Sequence, residues 1–517
     1  MAYNGFLGCG FVFFAGRTKE VLVMERLKGD VVVIGAGVTG TAVARELARY
    51  QVKVFLVEKY PDVACGCTKA NTAIVHAGYD ATPGSWKAKL NVRGAAVYPQ
   101  VCQELEVEFK PTGSLVVALA EDQVSHLYEL LNRGYVNGVP DLEIIGREQL
   151  LAQEPYVNPK AVAALWAPTA GLVNPWGLAI AQAENAAENG VEVLLGAPVV
   201  GLELKDGLVT SVQTPTVIIE TRYVVNAGGR YSDEIAAMVG QDDFRIVPRK
   251  GEYYVFDKRF GYMVGCPLFP VPTAVSKGIL VTPSVDGNLL IGPNAQDQED
   301  KEDLDTTPQG LAEVLKEALD MMPDLPVRDA ITNFAGLRAV ARPSNDFVLG
   351  PAPGVANFIN AAGIQSPGLT AAPAVAEVVR DFLQLAGLEL KGKAKFNPFR
   401  RGIVTFRDKS HKQQAELIEG DPRYGQIVCR CETVTEAEIV QALHRPVPCT
   451  TIDGVKRRTH AGMGRCQAGF CTPRVIEIMA RELGLSWDQI TKKGGSSRLL
   501  LNHTKCSGAV KGAGEDA

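Results

Sequence analysis

Four cysteines near the carboxyl end are arranged in two close pairs. Cys429 and Cys431 form a CxC motif, and Cys466 and Cys471 form a Cx4C motif. Four thiolates brought together complete tetrahedral sites for a 2Fe-2S cluster or for a single zinc ion, and the spacing alone leaves both metals open. The sequence therefore predicts that these four side chains ligate a metal.

Each cysteine pair is followed by the start of a helix. Thr435 and Glu438 have the spacing of a capping box, and Thr472-Pro473 is a typical N-cap followed by a first-turn proline. Because the amino-terminal end of a helix is the positive end of its dipole, both helices would stabilise an anionic thiolate cluster. We expect a small helical metal-binding domain here.

A glycine-rich turn near the amino terminus has the residues that bind a dinucleotide. Val31–Ile34 is a continuous β-branched run typical of a buried parallel strand, and Gly35, Gly37 and Gly40 follow as a GxGxxG motif. The first glycine allows the tight turn, the second admits a pyrophosphate, and the third lets helix and strand pack closely. Glu58 ends the next predicted strand, where its carboxylate is placed to accept hydrogen bonds from ribose hydroxyls.

Two later segments favour FAD over NAD as the dinucleotide. In the segment 223–229 a strand runs into small residues, and the segment 363–370 opens a helix whose N–H groups could contact an isoalloxazine ring or its ribityl chain. The chain has no second GxGxxG motif, so we expect no nicotinamide site. Electrons taken up by a flavin must then leave by another route.

Length and charge exclude several classes of protein. The chain has 517 residues with a formal net charge of −5, enough for roughly three domains and without the basic field that nucleic acid binding requires. Eleven cysteines are too few for a disulfide scaffold, which favours a reducing, cytoplasmic location. The apolar stretch 5–14 is shorter than the ~20 residues that cross a bilayer, so we expect no transmembrane segment.

Several motifs together resemble the FAD-dependent oxidoreductases of the D-amino-acid-oxidase class, and most closely the flavin subunit of glycerol-3-phosphate dehydrogenases. The L-2-hydroxyglutarate dehydrogenases are similar neighbours. The surroundings of the four cysteines resemble bacterioferritin-associated ferredoxin, which implies 2Fe-2S rather than zinc. The motifs that carry the flavoenzyme resemblance are 35–40, 70–78, 225–229, 336–338 and 363–370.

The resemblance implies an α/β fold: a Rossmann-like FAD-binding domain with an inserted, mainly antiparallel substrate domain, plus a small helical C-terminal iron–sulfur domain. The expected boundaries are an amino-terminal extension over 1–27, the FAD-binding and substrate domains over 28–390, a linker over 391–426, the 2Fe-2S domain over 427–490 and a tail over 491–517.

The resemblance also implies roles for individual residues. His76 lies in the loop expected to run under the flavin, and an imidazole with a pKa of about 6.5 suits the base that accepts a hydroxyl proton. Arg338 matches the position of an anion-binding arginine, and Lys250 begins a strand expected to line the substrate side. The expected cofactor-binding residues are Gly35, Gly37, Gly40, Glu58, Thr68, Asn71, Ala227, Gly228, Gly363, Gly368, Leu369 and Thr370.

The preferred hypothesis is an FAD-dependent dehydrogenase of sn-glycerol 3-phosphate that passes electrons through the cluster to a second flavoprotein or another acceptor subunit. A different hydroxy acid, an amino acid or an amine stays open as substrate, and so does a non-catalytic electron-transfer subunit. Cys65 and Cys67 form another CxC without a second pair and are interpreted as packing residues, whereas Cys449 and Cys506 fit neither pair.

Overall fold

A computed structural model describes residues 24–272 and 278–501. Most of the predicted amino-terminal extension, the end of the predicted tail and Cys506 lie outside these residues. The described α-helices are, in chain order, Val38–Leu47, Trp86–Leu105, Val124–Asn137, Arg147–Gln153, Pro175–Glu188, Ser232–Ala237, Pro308–Met321, Gly368–Leu385, His411–Gly420, Glu436–Leu443, Ile452–Thr459 and Thr472–Leu483.

A mostly parallel sheet carries the glycine-rich turn. Val31–Ile34 is buried throughout and lies between two parallel neighbours, Val54–Val57 and Tyr223–Asn226. Burial on both faces explains why these strands are apolar along their whole length. The strand order is Glu192–Leu194, Val54–Val57, Val31–Ile34, Tyr223–Asn226, Val355–Ala362 and Val348–Ala352, the last strand being antiparallel.

A second, larger sheet is mainly antiparallel and has its own hydrophobic core. The long strands Arg245–Phe256 and Ala330–Arg342 pair over almost their entire length, whereas Leu268–Pro270 and Ser114–Ala118 are parallel. The strand order is Gln296–Asp297, Arg245–Phe256, Leu289–Gly292, Leu280–Pro283, Leu268–Pro270, Ser114–Ala118, Ala163–Ala167 and Glu143–Gly146, with Ala330–Arg342 on Arg245–Phe256.

Three smaller sheets complete the strands that the structure describes. Ile74–Val75 is antiparallel to Gly171–Val173, which places His76 at the end of a short strand. The smaller sheets are Glu25–Lys28, Val217–Glu220, Leu208–Gln213 and Gly201–Lys205; Ile74–Val75, Gly171–Val173 and Phe109–Lys110; and Ile427–Cys429 with Val434–Thr435.

The carboxyl-terminal part folds around a separate apolar core formed by its last three helices. The segment 391–426, predicted to be a surface linker, is partly packed instead. The buried Arg400 guanidinium pairs with Glu184 at 2.7 Å, and His411–Gly420 is a capped helix. The predicted tail also continues the fold at first, because Thr491 bridges to Thr451.

The architecture agrees with the α/β class expected from the sequence. Helices Pro175–Glu188 and Pro308–Met321 each begin at a proline that follows a side-chain N-cap, Asn174 and Thr307 respectively. The helix Trp86–Leu105 was not predicted, and it contains Pro99, a residue type that normally breaks a helix. Among residues 24–272 and 278–501, no helix combines the length and the apolar character needed to cross a membrane.

Candidate active site and metal centre

A cavity of about 710 Å³ is lined by residues from both the parallel sheet and the large mixed sheet. This volume is within the ordinary range for small-molecule sites. Nine of the twelve predicted cofactor-binding residues line it, namely Gly35, Gly37, Glu58, Thr68, Asn71, Ala227, Gly228, Gly368 and Leu369. The other three, Gly40, Gly363 and Thr370, do not line the cavity but pack against residues that do.

The glycine-rich turn is shaped by close backbone packing. Gly35 has a φ of +101°, and a Cβ atom there would lie 2.4 Å from the carbonyl oxygen of Ala227. A Cβ atom at Gly40 would lie 1.8 Å from the carbonyl oxygen of Gly35, so the third glycine lets the helix cross the strand end. Helix Val38–Leu47 therefore begins at the cavity wall and directs its amino-terminal end to it.

Glu58 holds this turn and still faces the cavity. Its carboxylate accepts hydrogen bonds from the backbone N–H groups of Ala36 at 2.7 Å and Tyr60 at 3.0 Å. Burial raises the pKa of Glu58, while these hydrogen bonds act in the opposite direction. A carboxylate has about four lone-pair sites, so two acceptor positions are left for ribose hydroxyls.

Thr68 and Asn71 fix the loop that crosses the cavity. The Thr68 hydroxyl accepts a hydrogen bond from the Val38 N–H at 3.0 Å, which joins the loop to the first turn of the helix. Asn71 accepts from the N–H of Ala73 at 2.9 Å and donates to the carbonyl oxygen of Thr68 at 2.9 Å. These contacts position the backbone that leads to His76.

His76 is half-buried and lines the cavity. Its backbone N–H donates to the buried hydroxyl of Thr370 at 2.9 Å, so Thr370 positions the histidine rather than contacting the cavity. Its Nε2 atom lies 3.4 Å from the Ser366 hydroxyl, and its ring centroid lies 5.9 Å from that of Phe269. The imidazole is therefore held at the surface of the cavity.

Arg338 and Arg249 are directly paired across two antiparallel strands, and both line the cavity. Asp297 binds Arg249 through both of its carboxylate oxygens and also accepts a hydrogen bond from Arg342 at 3.0 Å, so Arg249 is held in an ion-pair network. Arg338 donates to the carbonyl oxygen of Asn294 at 3.0 Å, and no carboxylate in the described ranges forms an ion pair with it. Arg338 is therefore the cation better suited to an anionic ligand.

The prediction that Lys250 lines the substrate side does not agree with the structure. Its side chain is only 4% exposed, and its ammonium group pairs with Asp303 and donates to the carbonyl oxygen of Asp305 at 3.0 Å. Successive residues of a strand point to opposite faces, so Arg249 faces the cavity and Lys250 faces away from it. Lys250 stabilises the loop behind the sheet.

Sequence reasoning missed the aromatic side of the cavity. Tyr253 stacks on Phe334 with ring centroids 4.5 Å apart, and its hydroxyl lies 3.4 Å from that of Thr72. Both Tyr253 and Thr72 line the cavity. Tyr253 is three residues after Lys250 on the same strand and therefore lies on the opposite face. Its place in the cavity can be predicted only when the face of the strand that lines the cavity is known.

The four predicted metal ligands lie close together as two pairs. The sulfur atoms of Cys431 and Cys466 are 3.5 Å apart, and the thiol of Cys471 donates to the sulfur of Cys429. Two sulfurs on one tetrahedral metal at ~2.3 Å are separated by roughly 3.7 Å, so the distance between Cys431 and Cys466 fits two ligands of one metal atom. Four cysteine sulfurs arranged as two pairs have the composition of a 2Fe-2S ligand set.

Within the buried pair Cys429 and Cys471, the thiolate is placed on Cys429. The hydrogen bond from Cys471, helped by the N–H groups of Gly462 and Glu432, lowers the pKa of Cys429 to about 6 against the opposing effect of burial. The same hydrogen bond and burial raise the pKa of Cys471, which keeps the proton that the pair shares. Cys471 is the N-cap of helix Thr472–Leu483, so the helix begins one residue earlier than the Thr472 N-cap that the sequence predicted. The donor set and its surroundings therefore fit an anionic cluster.

The metal centre is joined to the flavin domain by polar contacts. His460, six residues before Cys466, lies with its Nε2 atom 3.3 Å from the amide nitrogen of Asn174 and its Nδ1 atom 3.2 Å from Asp286. The N–H of Val173 in turn donates to the carbonyl oxygen of Ala73, which lines the cavity. A short series of hydrogen bonds thus connects the cysteine loop to the cavity wall.

Comparison with known proteins gives two family matches. Residues 30–382 match the model for FAD dependent oxidoreductases, and residues 427–481 match the BFD-like [2Fe-2S] binding domain. The chain belongs to the FAD dependent oxidoreductase family. The glycine cradle and Glu58 fit FAD, and the two cysteine pairs fit the cluster, so this family member has FAD and a 2Fe-2S cluster as its cofactors.

Individual relatives agree with this assignment. The chain is 47% identical to a glycerol 3-phosphate dehydrogenase of Caloramator mitchellensis, over 92% of this chain and 99% of that protein. It is similar to the structure of the dithionite-reduced L-α-glycerophosphate oxidase of Mycoplasma pneumoniae with FAD bound, with 32% identity and a TM-score of 0.69 over 72% of this chain and 98% of that one. It is 33% identical to the human mitochondrial L-2-hydroxyglutarate dehydrogenase, over 56% of this chain and 65% of that protein.

Proposed function

We propose that this FAD-dependent dehydrogenase oxidises sn-glycerol 3-phosphate to dihydroxyacetone phosphate and delivers the electrons to a partner protein. The observation that carries the proposal is the placement of His76 and Arg338 in the same cavity as the glycine-rich turn. The relatives named glycerol 3-phosphate dehydrogenase and L-α-glycerophosphate oxidase support the choice of substrate.

His76 acts as the base. Oxidation of a secondary alcohol removes a hydride from carbon and a proton from the hydroxyl group, and bound FAD supplies the two-electron acceptor for the hydride. The Nε2 atom of His76 accepts the hydroxyl proton, while Thr370 and Ser366 hold the histidine in position. Phe269 packs against the imidazole and shields that face from water.

Arg338 binds the phosphate group. The neighbouring Arg249 already pairs with Asp297, whereas Arg338, within the described residues, donates only to a backbone carbonyl oxygen, so Arg338 has more of its charge available for the ligand. Guanidinium and phosphate form paired hydrogen bonds that fix the orientation of the substrate. The hydroxyls of Tyr253 and Thr72 then contribute polar contacts along the aromatic wall.

Anaerobic titration tests the substrate. Addition of sn-glycerol 3-phosphate to the oxidised holoenzyme should bleach the visible flavin absorbance, whereas L-2-hydroxyglutarate at the same concentration should not. Bleaching by 2-hydroxyglutarate alone would assign the other substrate, for which the human relative gives the precedent. Bleaching at the wild-type rate when both His76 and Arg338 are replaced would exclude these two residues from the reaction.

The electron acceptor is a protein. A protein is too large to enter the cavity, but it can take electrons from a 2Fe-2S cluster that lies near the surface. A second flavoprotein subunit or another redox protein would take the electrons one at a time. The enzyme works in the reducing cytoplasm, where the four cluster cysteines and the other thiols stay unoxidised.

A further inference from the structure

The four cluster cysteines differ in exposure. Cys429 and Cys471 are buried, at 1% and 3% exposed, whereas Cys431 is exposed and Cys466 is half-buried. The two buried cysteines, Cys429 and Cys471, form one sulfur pair. The two more accessible cysteines, Cys431 and Cys466, form the other. The metal centre therefore has one side directed into the protein and one side directed to solvent.

The loop that carries Cys466 also carries an apolar side chain that stands in water. Phe470, in the Cx4C loop, is 86% exposed. The loop turns through two residues in the left-handed region, Gln467 with a φ of +47° and Ala468 with a φ of +71°. The phenyl ring is therefore available as an apolar contact for another protein.

The exposed charged residues of the two cysteine-bearing segments are all arginines. In the segments 426–433 and 463–474, the exposed charged residues are Arg430, Arg465 and Arg474. The acidic residue of these segments, Glu432, is buried and paired with Lys258 and Arg407. Arg465 and Arg474 have carboxylate partners, whereas no ion pair within the described part of the chain involves Arg430. Arg430 thus places an exposed positive charge directly beside the exposed Cys431, on a chain whose net charge is −5.

We propose that Cys431, Phe470, Arg430 and Arg465 form the docking surface for the electron acceptor, and that this acceptor is an acidic one-electron redox protein with an apolar contact of its own. This proposal rests on the proposed function and names the chemistry of its partner. The exposed phenyl ring is the apolar anchor, and the arginines attract and orient the acidic partner.

The electron balance fixes the stoichiometry. Oxidation of one alcohol to a ketone releases two electrons and two protons, and each docked acceptor takes one electron. Two acceptor molecules are therefore reduced for each substrate molecule. A transient, charge-steered contact suits this repeated docking better than a permanent interface.

Binding of two redox proteins of opposite charge to the purified holoenzyme tests the proposal. An acidic plant-type ferredoxin and a basic c-type cytochrome serve as probes, and binding is followed by biolayer interferometry at about 0.02 M and 0.2 M salt. We expect the ferredoxin to bind more tightly and to weaken with salt. The net charge of −5 alone would make the chain bind the basic cytochrome more tightly. The experiment therefore distinguishes a local basic docking surface from an effect of net charge.

Two variants locate the surface. Phe470→Ser and Arg430→Glu should each weaken ferredoxin binding about tenfold or more. The matched control for Phe470→Ser is Val136→Ser, which changes a 73% exposed apolar residue of helix Val124–Asn137. The matched control for Arg430→Glu is Lys205→Glu, which reverses an exposed charge in the 201–213 hairpin. Visible absorbance of the cluster confirms that each variant retains it, and flavin bleaching by substrate reports the proposed function separately.

Tighter binding of the cytochrome would overturn the proposal, as would ferredoxin binding that both variants leave unchanged. Absence of ferredoxin binding at low salt would overturn it too. If Phe470→Ser instead converts a dimer into a monomer in size-exclusion chromatography without affecting ferredoxin binding, the surface belongs to a second copy of this chain and the acceptor docks elsewhere.

Discussion

Asp62 and Arg458 form a two-point ion pair between the flavin domain and the iron–sulfur domain. The Nη1 and Nη2 atoms of Arg458 donate to the two carboxylate oxygens of Asp62 at 2.8 and 2.9 Å, and Arg457 adds a third hydrogen bond at 2.6 Å. Asp62 follows Glu58 closely in the chain, so the loop that supports the dinucleotide end of the cavity also holds helix Ile452–Thr459. This buried ion pair therefore joins the two cofactor domains.

Removal of this carboxylate should destabilise the enzyme strongly. The side chain of Asp62 is fully buried, and Asp62→Asn leaves two buried guanidinium groups without their counter-charge. Loss of one partner from a buried pair typically costs about 3–5 kcal/mol. The measurement is the midpoint of thermal unfolding at neutral pH. Asp30→Asn is the matched control because Asp30 pairs with an exposed arginine, Arg222, and should cost at most about 1 kcal/mol.

The same pair should make stability depend on pH. Burial alone would raise the pKa of Asp62, but the charges of Arg458 and Arg457 lower it below its ordinary 3.8. A lowered folded-state pKa gives stability that is present above the unfolded value and is lost as the pH falls through the folded value. The difference in unfolding midpoint between wild type and Asp62→Asn should thus be constant from about pH 7 to pH 5 and shrink below roughly pH 4. A difference that grows towards acid pH would contradict this assignment.

His76→Asn should slow the chemical step without releasing the flavin. A positioned general base contributes roughly 10²–10⁴-fold, so the rate of anaerobic flavin bleaching in a stopped-flow experiment should fall by about that factor. The ratio of FAD to protein should remain that of the wild type. His126→Asn, a change on an exposed helix, is the control and should leave the rate unchanged. A His76 variant that bleaches at the wild-type rate would remove the histidine from the reaction.

Arg338→Gln should weaken substrate binding. Hydrogen bonds to charged groups contribute about 1.5–3 kcal/mol, which corresponds to a 10- to 100-fold increase in the substrate Kd. Arg249→Gln is the informative comparison because Arg249 lies opposite Arg338 on the paired strand but already pairs with Asp297. We expect its effect on Kd to be several-fold smaller. Equal effects would indicate that both arginines bind the phosphate group.

The candidate site could be predicted where its determinants are local in sequence. Gly35 and Gly40 act through the backbone of their own turn, and the cysteine pairs act through short loops, so motif and spacing were sufficient. Lys250 was misplaced because the face of a strand is set by its register with a distant strand, Ala330–Arg342. Helix Trp86–Leu105 was missed because its stability comes from packing: a Cβ atom at Gly94 would lie 2.1 Å from the carbonyl oxygen of Thr370. Tertiary contact outweighs the local effect of Pro99 there.

Replacement of a cluster cysteine should remove the metal centre, whereas replacement of a cysteine that is not a ligand should leave it intact. Cys431→Ser removes one sulfur of the outer pair and should abolish the visible absorbance of the cluster and its iron content, because the remaining three thiolates cannot complete two tetrahedral sites. Cys449→Ser is the matched control: Cys449 is fully buried near the same core and donates to the carbonyl oxygen of Ala442 at 3.4 Å, but it belongs to neither pair. Its variant should keep two iron atoms per chain. Zinc in the wild type, or iron retained by Cys431→Ser, would contradict a dinuclear iron centre on these four sulfurs.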